Sequence, residues 1–397
     1  MTTFVIATWF AQAVAPDPAT GQAMWGWMQT AAGVAIALLS PALGAVADAG
    51  GRRRLMLGLC TLATAVFTAG LWFARPEAGS ALYVLGCVGL ATVSFEVGTV
   101  FYNSMLPDVA RPGRMGRVSG LAWGLGYAGG LTCLVVCLFG LIQPDPGLFG
   151  FDREAGEPIR AAALLVAGWM VLFAWPVLAA MPDPAGKKSG WMASARTGLR
   201  DIREVLRGLR GRPDMLRFLL ARLLYTDGLN TMFAFGAIFA AGVHGMSFQQ
   251  VLIFGIAMNV SAGLGAALAG LAEDRVGSRR MVLVALWAMA AIGLAIVLVE
   301  STPVFWGLAL VMGLFFGPAQ AASRTLMARM APPGEVAAHF GLFALSGRIT
   351  GFLGPATLAA VTQASGSQRA GIATTVAFMA LGAVLLMGVR ERRGAAQ

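Results

Sequence analysis

The sequence predicts an all-α polytopic membrane protein of about twelve transmembrane helices, arranged as two six-helix pseudo-repeats, and three observations predict it. Of its 397 residues, 57% are hydrophobic and only 12% are charged, whereas soluble domains carry about 25% charged residues. Apolar runs of about twenty residues recur along the whole chain, each long enough to cross a hydrocarbon core of about 30 Å. Segments of the first half also recur in the second at a nearly constant shift.

The first run, Met1–Pro16, is the shortest, and its reach of about 24 Å predicts a shortened first helix. Aligning Phe10 with Phe239 leaves most of Arg217–Leu229 without a counterpart before Met1, so the sequence suggests a truncated or misassigned start. The run ends in small residues like a cleaved leader, but it lacks the basic leading region of one. Met24–Ala47, Leu55–Phe73, Ala81–Ser104, Val118–Ile142 and Ala161–Met181 complete the first six spans. Phe218–Val243, Val251–Leu271, Met281–Val299, Val304–Ala322, Phe340–Val361 and Gly371–Val389 form the second six. The halves are therefore residues 1–181 and 216–397, joined by a polar, basic stretch over 182–215.

In that linker Leu199, Ile202, Leu206 and Leu209 follow helical spacing, with Arg200, Arg203, Arg207 and Arg210 between them. Such a helix either lies on the membrane surface against anionic lipid or runs solvated between the halves.

The net charge of +10 raises the question of nucleic acid, and the placement of the cations answers it. If the Gly50–Arg54 turn is cytoplasmic, that side also collects Arg111, Arg114, Arg117, Arg275, Arg279, Arg280, Arg324, Arg329, Arg390, Arg392 and Arg393, and the basic linker besides. Arg75, Arg153, Arg160 and Arg369 fall on the other side. The asymmetry is a topology signal that puts both termini of a multi-pass membrane protein in the cytoplasm, with no nucleic-acid partner.

Cys60, Cys87, Cys133 and Cys137 fall within apolar spans, and His244 and His339 sit in or beside loops on opposite sides. No disulfide framework, zinc site or other cofactor is expected. Metalloprotease, intramembrane-protease and phosphate-loop signatures are absent, so no enzyme is expected.

Two turns repeat. Gly44-x-x-x-Asp48-x-x-Gly51-Arg52-Arg53 returns 226 positions later as Gly270-x-x-x-Asp274-Arg275-x-Gly277-x-Arg279-Arg280. A shift of 221 carries Pro112 to Pro333, Gly120 to Gly341 and Gly126 to Gly347. An Asp facing a helix start, with arginines on opposing carboxylates or carbonyl ends, makes a breakable latch, so these turns are expected to gate the cytoplasmic side.

Charges inside lipid are functional candidates by default. Arg222 lies near a span end and reads as snorkelling to the interface. Glu96, Asp227 and Arg348 lie deeper: either a carboxylate carries a coupling proton while Arg348 attracts an anionic end of substrate, or they form a fixed ion pair. For Glu96 the structural role is the better fit. Tyr102, Asn103, Trp123, Tyr127, Tyr225, Asn230 and Asn259 are the polar and aromatic residues placed to line a pocket or to join helices.

The duplicated Gly-Asp-Arg turns resemble the signature loop of the major facilitator superfamily, with Ala49 where an Arg is usual in the first copy. Tyr102-Asn103-Ser-Met-Leu-Pro107, Arg117-Val-Ser119-Gly120, Leu125-Gly-Tyr127, Tyr225-Thr-Asp227-Gly228, Gln320-Ala-Ala-Ser323-Arg324 and Gly366-Ser-Gln368-Arg369-Ala-Gly371 are more particular. Together they are similar to the branch once called the unknown major facilitator family, bacterial relatives of the fungal autophagy-related vacuolar effluxer. The resemblance, from about Met24 to the C-terminus, implies a secondary transporter of a bacterial inner membrane that works by alternating access on a small-molecule substrate; the fungal relatives imply export of amino acids, a substrate that bacterial members need not share. The alternatives are a facilitator-like sensor or scaffold, and an exporter of hydrophobic compounds whose cavity would lack charged lining. Span four lacks the Arg-x-x-x-Gly pattern of proton-coupled facilitators and span five the proline of antiporters, which puts the superfamily's usual coupling in question.

Overall fold

The structure, a computed structural model, describes residues 5–111, 113–144, 150–181, 207–347, 351 and 353–391. Arg348 and most of the basic linker, with its expected surface helix, lie outside the described residues.

The described chain is helical, because lipid leaves each backbone N–H and C=O to be satisfied within its own segment. Helix α1 (Ala7–Trp9) continues as a wider π turn over Phe10–Val14 and breaks before α2 (Pro18–Gly50). There follow α3 (Arg53–Gly70), α4 (Ala81–Ser104), the single turn α5 (Leu106–Val109), α6 (Met115–Cys137) and α7 (Glu157–Ala180). The second series is α8 (Pro213–His244), α9 (Phe248–Val276), α10 (Ser278–Leu298) and α11 (Thr302–Met330). It ends with α12 (Val336–Ser346), α13 (Leu353–Ser365) and α14 (Gln368–Met387).

Nine helices among the described residues are long and apolar enough to cross a membrane. Helix α8 is long enough as well, but it carries Arg222 and Asp227 within its length. Within the eleventh run the described helices are α12 and α13. Large apolar side chains such as Leu38, Leu82, Leu125, Leu172, Trp175 and Leu298 stand exposed on the helix surfaces, as expected where the solvent is hydrocarbon.

The chain divides into two compact units. One comprises Met1–Tyr102 with Gly130–Leu199, the other Asn103–Gly129 with Arg200–Gln397. In the first, α1 and its π turn are buried through Ile6, Trp9, Phe10 and Val14 against Leu71, Val84 and Val88. Trp9 lies so close to Gly156 that a Cβ there would sit 3.0 Å from the indole nitrogen, and Gly156 also holds a φ of 69°, so no other residue fits both demands. In the same unit Arg160 donates to the Trp72 carbonyl and its guanidinium lies 5.0 Å from the Trp72 ring.

In the second unit α9 crosses α11 with backbones nearly touching: a Cβ on Gly265 would fall on the Leu314 carbonyl and one on Gly317 on the Ala262 carbonyl. Small residues permit this approach, which is how helices associate when lipid supplies no hydrophobic drive between them. The N-terminal half of α6 packs onto α9 in the same way, Gly120 against Ala266 and Gly270, and Gly124 against Gly263 and Ala267.

Candidate functional site

Residues of the second unit, drawn from five helices, line a polar cavity of about 60 Å³. The end of α4 contributes Asn103, α6 contributes Trp123 and α12 contributes Phe343. Helix α8 lines it with Arg222, Tyr225 and Thr226, and further along with Leu229 and Asn230. Helix α11 adds Gln320, Ser323 and Arg324, a short run of polar side chains past its apolar first half.

Arg324 sets the geometry. Its Nε donates to the Ser119 hydroxyl at 3.0 Å, one terminal nitrogen to the Ser119 carbonyl at 2.9 Å and the other to the Asn103 side-chain oxygen at 3.3 Å. The side chain is 5% exposed. The sequence placed Arg324 among the cations beyond the end of span ten, but α11 runs on to Met330 and Arg324 is buried.

Arg222 is corrected as well. Rather than snorkelling, it donates to the Phe343 carbonyl and, at 2.8 Å, to the Ser346 hydroxyl, with its guanidinium 3.4 Å from the Phe343 ring centre. Two residues of α12 thus hold it against the cavity. Tyr225, buried, shares a hydrogen bond of 2.6 Å with Ser323.

The remaining candidates distribute as follows. Asn103, Trp123, Tyr225 and Asn230 line the cavity. Tyr127 stands one helical turn from Trp123, with ring centres 5.9 Å apart, and bonds Gln320 through its hydroxyl. Asn259 donates to the Gly255 carbonyl of its own helix at 2.8 Å. Glu96 and Tyr102 belong to α4 in the first unit, Glu96 partly buried and Tyr102 39% exposed.

Asp227 is 2% exposed and accepts the Gly354 N–H at 2.8 Å, so it holds the first turn of α13. Its other oxygen, Oδ1, is buried without a hydrogen-bond partner, as is the neighbouring Thr231 hydroxyl.

Each duplicated turn carries its own electrostatic device. In the first, Gly51 takes a φ of 60° and lets the chain reverse so that Arg53 reaches back to Asp48 through two bonds of 3.0 and 2.7 Å. This pair, following Gly44 on α2, is nearly fully buried, and Arg52 beside it is half-exposed.

In the second, Asp274 accepts the Gly116 and Arg117 amides of the first turn of α6 at 2.7 and 2.9 Å. A carboxylate there satisfies two orphan donors and the positive end of the helix at once. Arg329 joins Asp274 at 3.0 Å to Glu391 at 2.9 Å, and Glu391 in turn accepts the Ser278 and Arg279 amides at the start of α10. Gly277, at a φ of 97°, makes the reversal between α9 and α10, and Arg279 donates to the Leu386 and Met387 carbonyls at the end of α14. Arg275 and Arg280 face solvent.

Sequence reasoning missed Arg329 and Glu391 as members of this network. The available signal was Glu391, an acid inside the basic stretch Arg390–Arg393. Buried Glu273, which accepts the Ser278 hydroxyl at 2.7 Å, was missed too. Among the described residues no group of His, Cys, Asp or Glu could hold a metal ion, and the four cysteines are free thiols.

A family model described as vacuole effluxer Atg22 like matches residues 28–115 and 113–397. The chain is 24% identical over 357 residues to the MFS-type transporter YxiO of Bacillus subtilis, covering 90% of this chain and 82% of that protein. It is 25% identical over 298 residues to autophagy-related protein 22 of Cryptococcus neoformans, covering 70% of this chain but spanning about half, 51%, of that fungal protein. A solved structure of the major facilitator proton:xylose symporter XylE superposes with a TM-score of 0.76 at 14% identity, covering 100% of this chain and 92% of that one.

Proposed function

The chain belongs to the family described as vacuole effluxer Atg22 like and has the major facilitator fold, and from that premise we propose that it is a secondary transporter moving a small solute by alternating access. Its family and fold are those of membrane transporters. The observation that carries the finer reading is the cavity between α6, α8, α11 and α12, polar and charged inside a bundle of otherwise apolar helices. Two arginines in its lining count against a hydrophobic-compound exporter, for which an uncharged cavity was the expectation.

In this reading residues 1–181 and 216–397 act as the moving halves, the basic turns and both termini face the cytoplasm of a bacterial cell, and amino acids and related metabolites are the first solutes to test. The turns at Asp48 and Asp274 would hold the closed arrangement, because each is a few breakable polar bonds, and the one at Asp274 lies beside the glycine crossing of α6 and α9. A coupling proton would reside on Asp227, whose Oδ1 is buried and can become a donor only when protonated.

Reconstitution into proteoliposomes tests this. Labelled amino acids and carboxylic acids should cross faster than in empty liposomes, and an imposed proton gradient should drive accumulation by the wild type but not by Asp227→Asn. Equal permeation with and without protein, for every solute class, would refute transport.

A further inference from the structure

By sequence, residues 103–129 lie in the first six-span half, yet by their contacts they belong to the second compact unit. Helix α6 meets that unit along two stripes. Gly116, Gly120 and Gly124, spaced one turn apart, rest on α9, where a Cβ on any of them would meet Glu273, Ala266, Gly270, Gly263 or Ala267 at 3.1 Å or less. On the neighbouring stripe Ser119 donates to the Ala321 carbonyl of α11 at 2.8 Å, Trp123 lines the cavity and Tyr127 bonds Gln320.

A glycine has no side chain to interlock, so the first stripe sets how closely the helices approach but offers little to hold them. The second stripe carries polar contacts, and Arg324 is their centre. Its guanidinium reaches the Ser119 hydroxyl and carbonyl on α6 and the Asn103 side-chain oxygen at the end of α4. One side chain of α11 therefore grips two helices of the other sequence half. Charge-assisted bonds are about twice as strong as neutral ones, and these three go to neutral oxygens, which can part from a guanidinium without stranding a charge of their own. Ser119 is fully buried and Arg324 stands about 9 Å before the end of α11 at Met330, which puts the grip between the cavity and the turn at Asp274.

We propose that Arg324 is a positioning residue of the transport cycle: its bonds to Ser119 and Asn103 lock α6 and the end of α4 against α11, and they part when the cavity opens at the end that carries the basic turns. The inference rests on the transport reading, in which residues 1–181 and 216–397 move against each other, and it names the contact that must break. Because the same side chain lines the cavity, a solute that takes a bond from Arg324 loosens the lock from within.

The test is amide hydrogen exchange on the full chain in lipid nanodiscs, read at residues 116–124 of α6 and at residues 240–246, the far end of α8. Asn103→Leu and Ser119→Ala each remove an acceptor of Arg324 and should speed exchange at 116–124 by about tenfold or more, the effect of one hydrogen bond to a charged group. Asn103→Asp gives Arg324 a charged acceptor and should slow exchange there below the wild-type rate. Opposite signs at one position are what a lock predicts, whereas a residue that only fills space would speed exchange under either substitution. Arg324→Lys, which keeps the charge but loses the planar fork, should fall on the fast side.

Faster exchange in Asn103→Asp as well as in Asn103→Leu, or wild-type exchange at 116–124 in both Ser119→Ala and Asn103→Leu, overturns the proposal, and the Asn103 pair decides this even if an Arg324 variant fails to fold. Alternating access adds a reciprocal signal: as 116–124 opens, protection at 240–246 should rise. Opposite signs at 116–124 with no answering change at 240–246, and no solute flux in proteoliposomes, would sink the transport reading while the lock stands. Solute flux by a protein whose two Asn103 variants exchange alike would do the reverse.

Discussion

Replacing Gly120 by Ala places a methyl group where two helices leave no room for one. A Cβ at this position falls 2.5 Å from the Ala266 carbonyl oxygen and 2.6 Å from the Gly270 Cα, and both obstacles are backbone that cannot rotate away. Restoring an ordinary contact of about 3.4 Å requires α6 and α9 to part by roughly 0.9 Å, and overpacking of this kind costs about 1–3 kcal/mol. The same displacement stretches the bond from the Gly116 amide to Asp274, now 2.7 Å, to about 3.6 Å, beyond hydrogen-bonding range. The Asp274 contact and the crossing therefore fail together, and the opening equilibrium of this end of α6 should shift by about 5- to 150-fold, at 1.4 kcal/mol per factor of ten.

Amide hydrogen exchange reads this directly, because the Gly116 and Arg117 amides are protected by the Asp274 carboxylate and exchange in proportion to opening. The control is Gly126→Ala on the same helix, where a Cβ meets nothing within 4 Å; it should leave exchange at residues 115–120 unchanged and favour the helix by up to about 1 kcal/mol. If Gly120→Ala folds, exchanges at the wild-type rate over 115–120 and melts where the wild type does, the close crossing is not what holds this end of the protein shut.

Three further outcomes are expected. Asp227→Ala should lower stability by about 1–3 kcal/mol, because the Gly354 amide loses its acceptor, while Asp227→Asn, which keeps an acceptor oxygen, should lose less; equal melting temperatures for the two variants would remove the capping role. Asp48→Asn and Arg53→Gln should each destabilise by about 1–3 kcal/mol, since each removes one charge from a nearly fully buried hydrogen-bonded pair, and a double-mutant cycle showing no coupling would mean that the pair holds nothing. His339, one residue before the eleventh apolar run, accepts from Arg212 at Nε2 and donates from Nδ1 to the Glu335 carbonyl. Burial, helped by the Arg212 charge, pushes its pKa below 6.5. The folded state then binds fewer protons than the unfolded one just below that value, so this group's contribution is complete above pH 6.5 and declines as pH falls through the window beneath it. Melting scans from pH 7.5 to 5 should show a loss that His339→Gln reduces, and identical slopes would reject the assignment.

The family and the fold were legible in the sequence because lipid imposes a length and an apolarity on every spanning segment, and because duplication left the same turn twice. At Gly44 to Arg53 and Gly270 to Arg280 the residue types alone announced polar contacts at a helix end, since a Gly that reverses the chain, an Asp and arginines beside it are suited to them. What the Asp grips was not legible. Asp274 meets the amides of residues 116 and 117, some 157 positions earlier in the chain, and that pairing exists only once α6 lies against α9. Arg324 and Arg222 show the same limit from the other side. Read along one helix, each sits near the end of an apolar run and looks interfacial; only the continuation of α11 to Met330 and the packing of α12 on α8 turn both inward to one cavity. Hydrophobic patterning is a property of a segment and its solvent, so one dimension carries it, whereas the charge of a cavity is the sum over helices distant in sequence, which tertiary packing alone assembles.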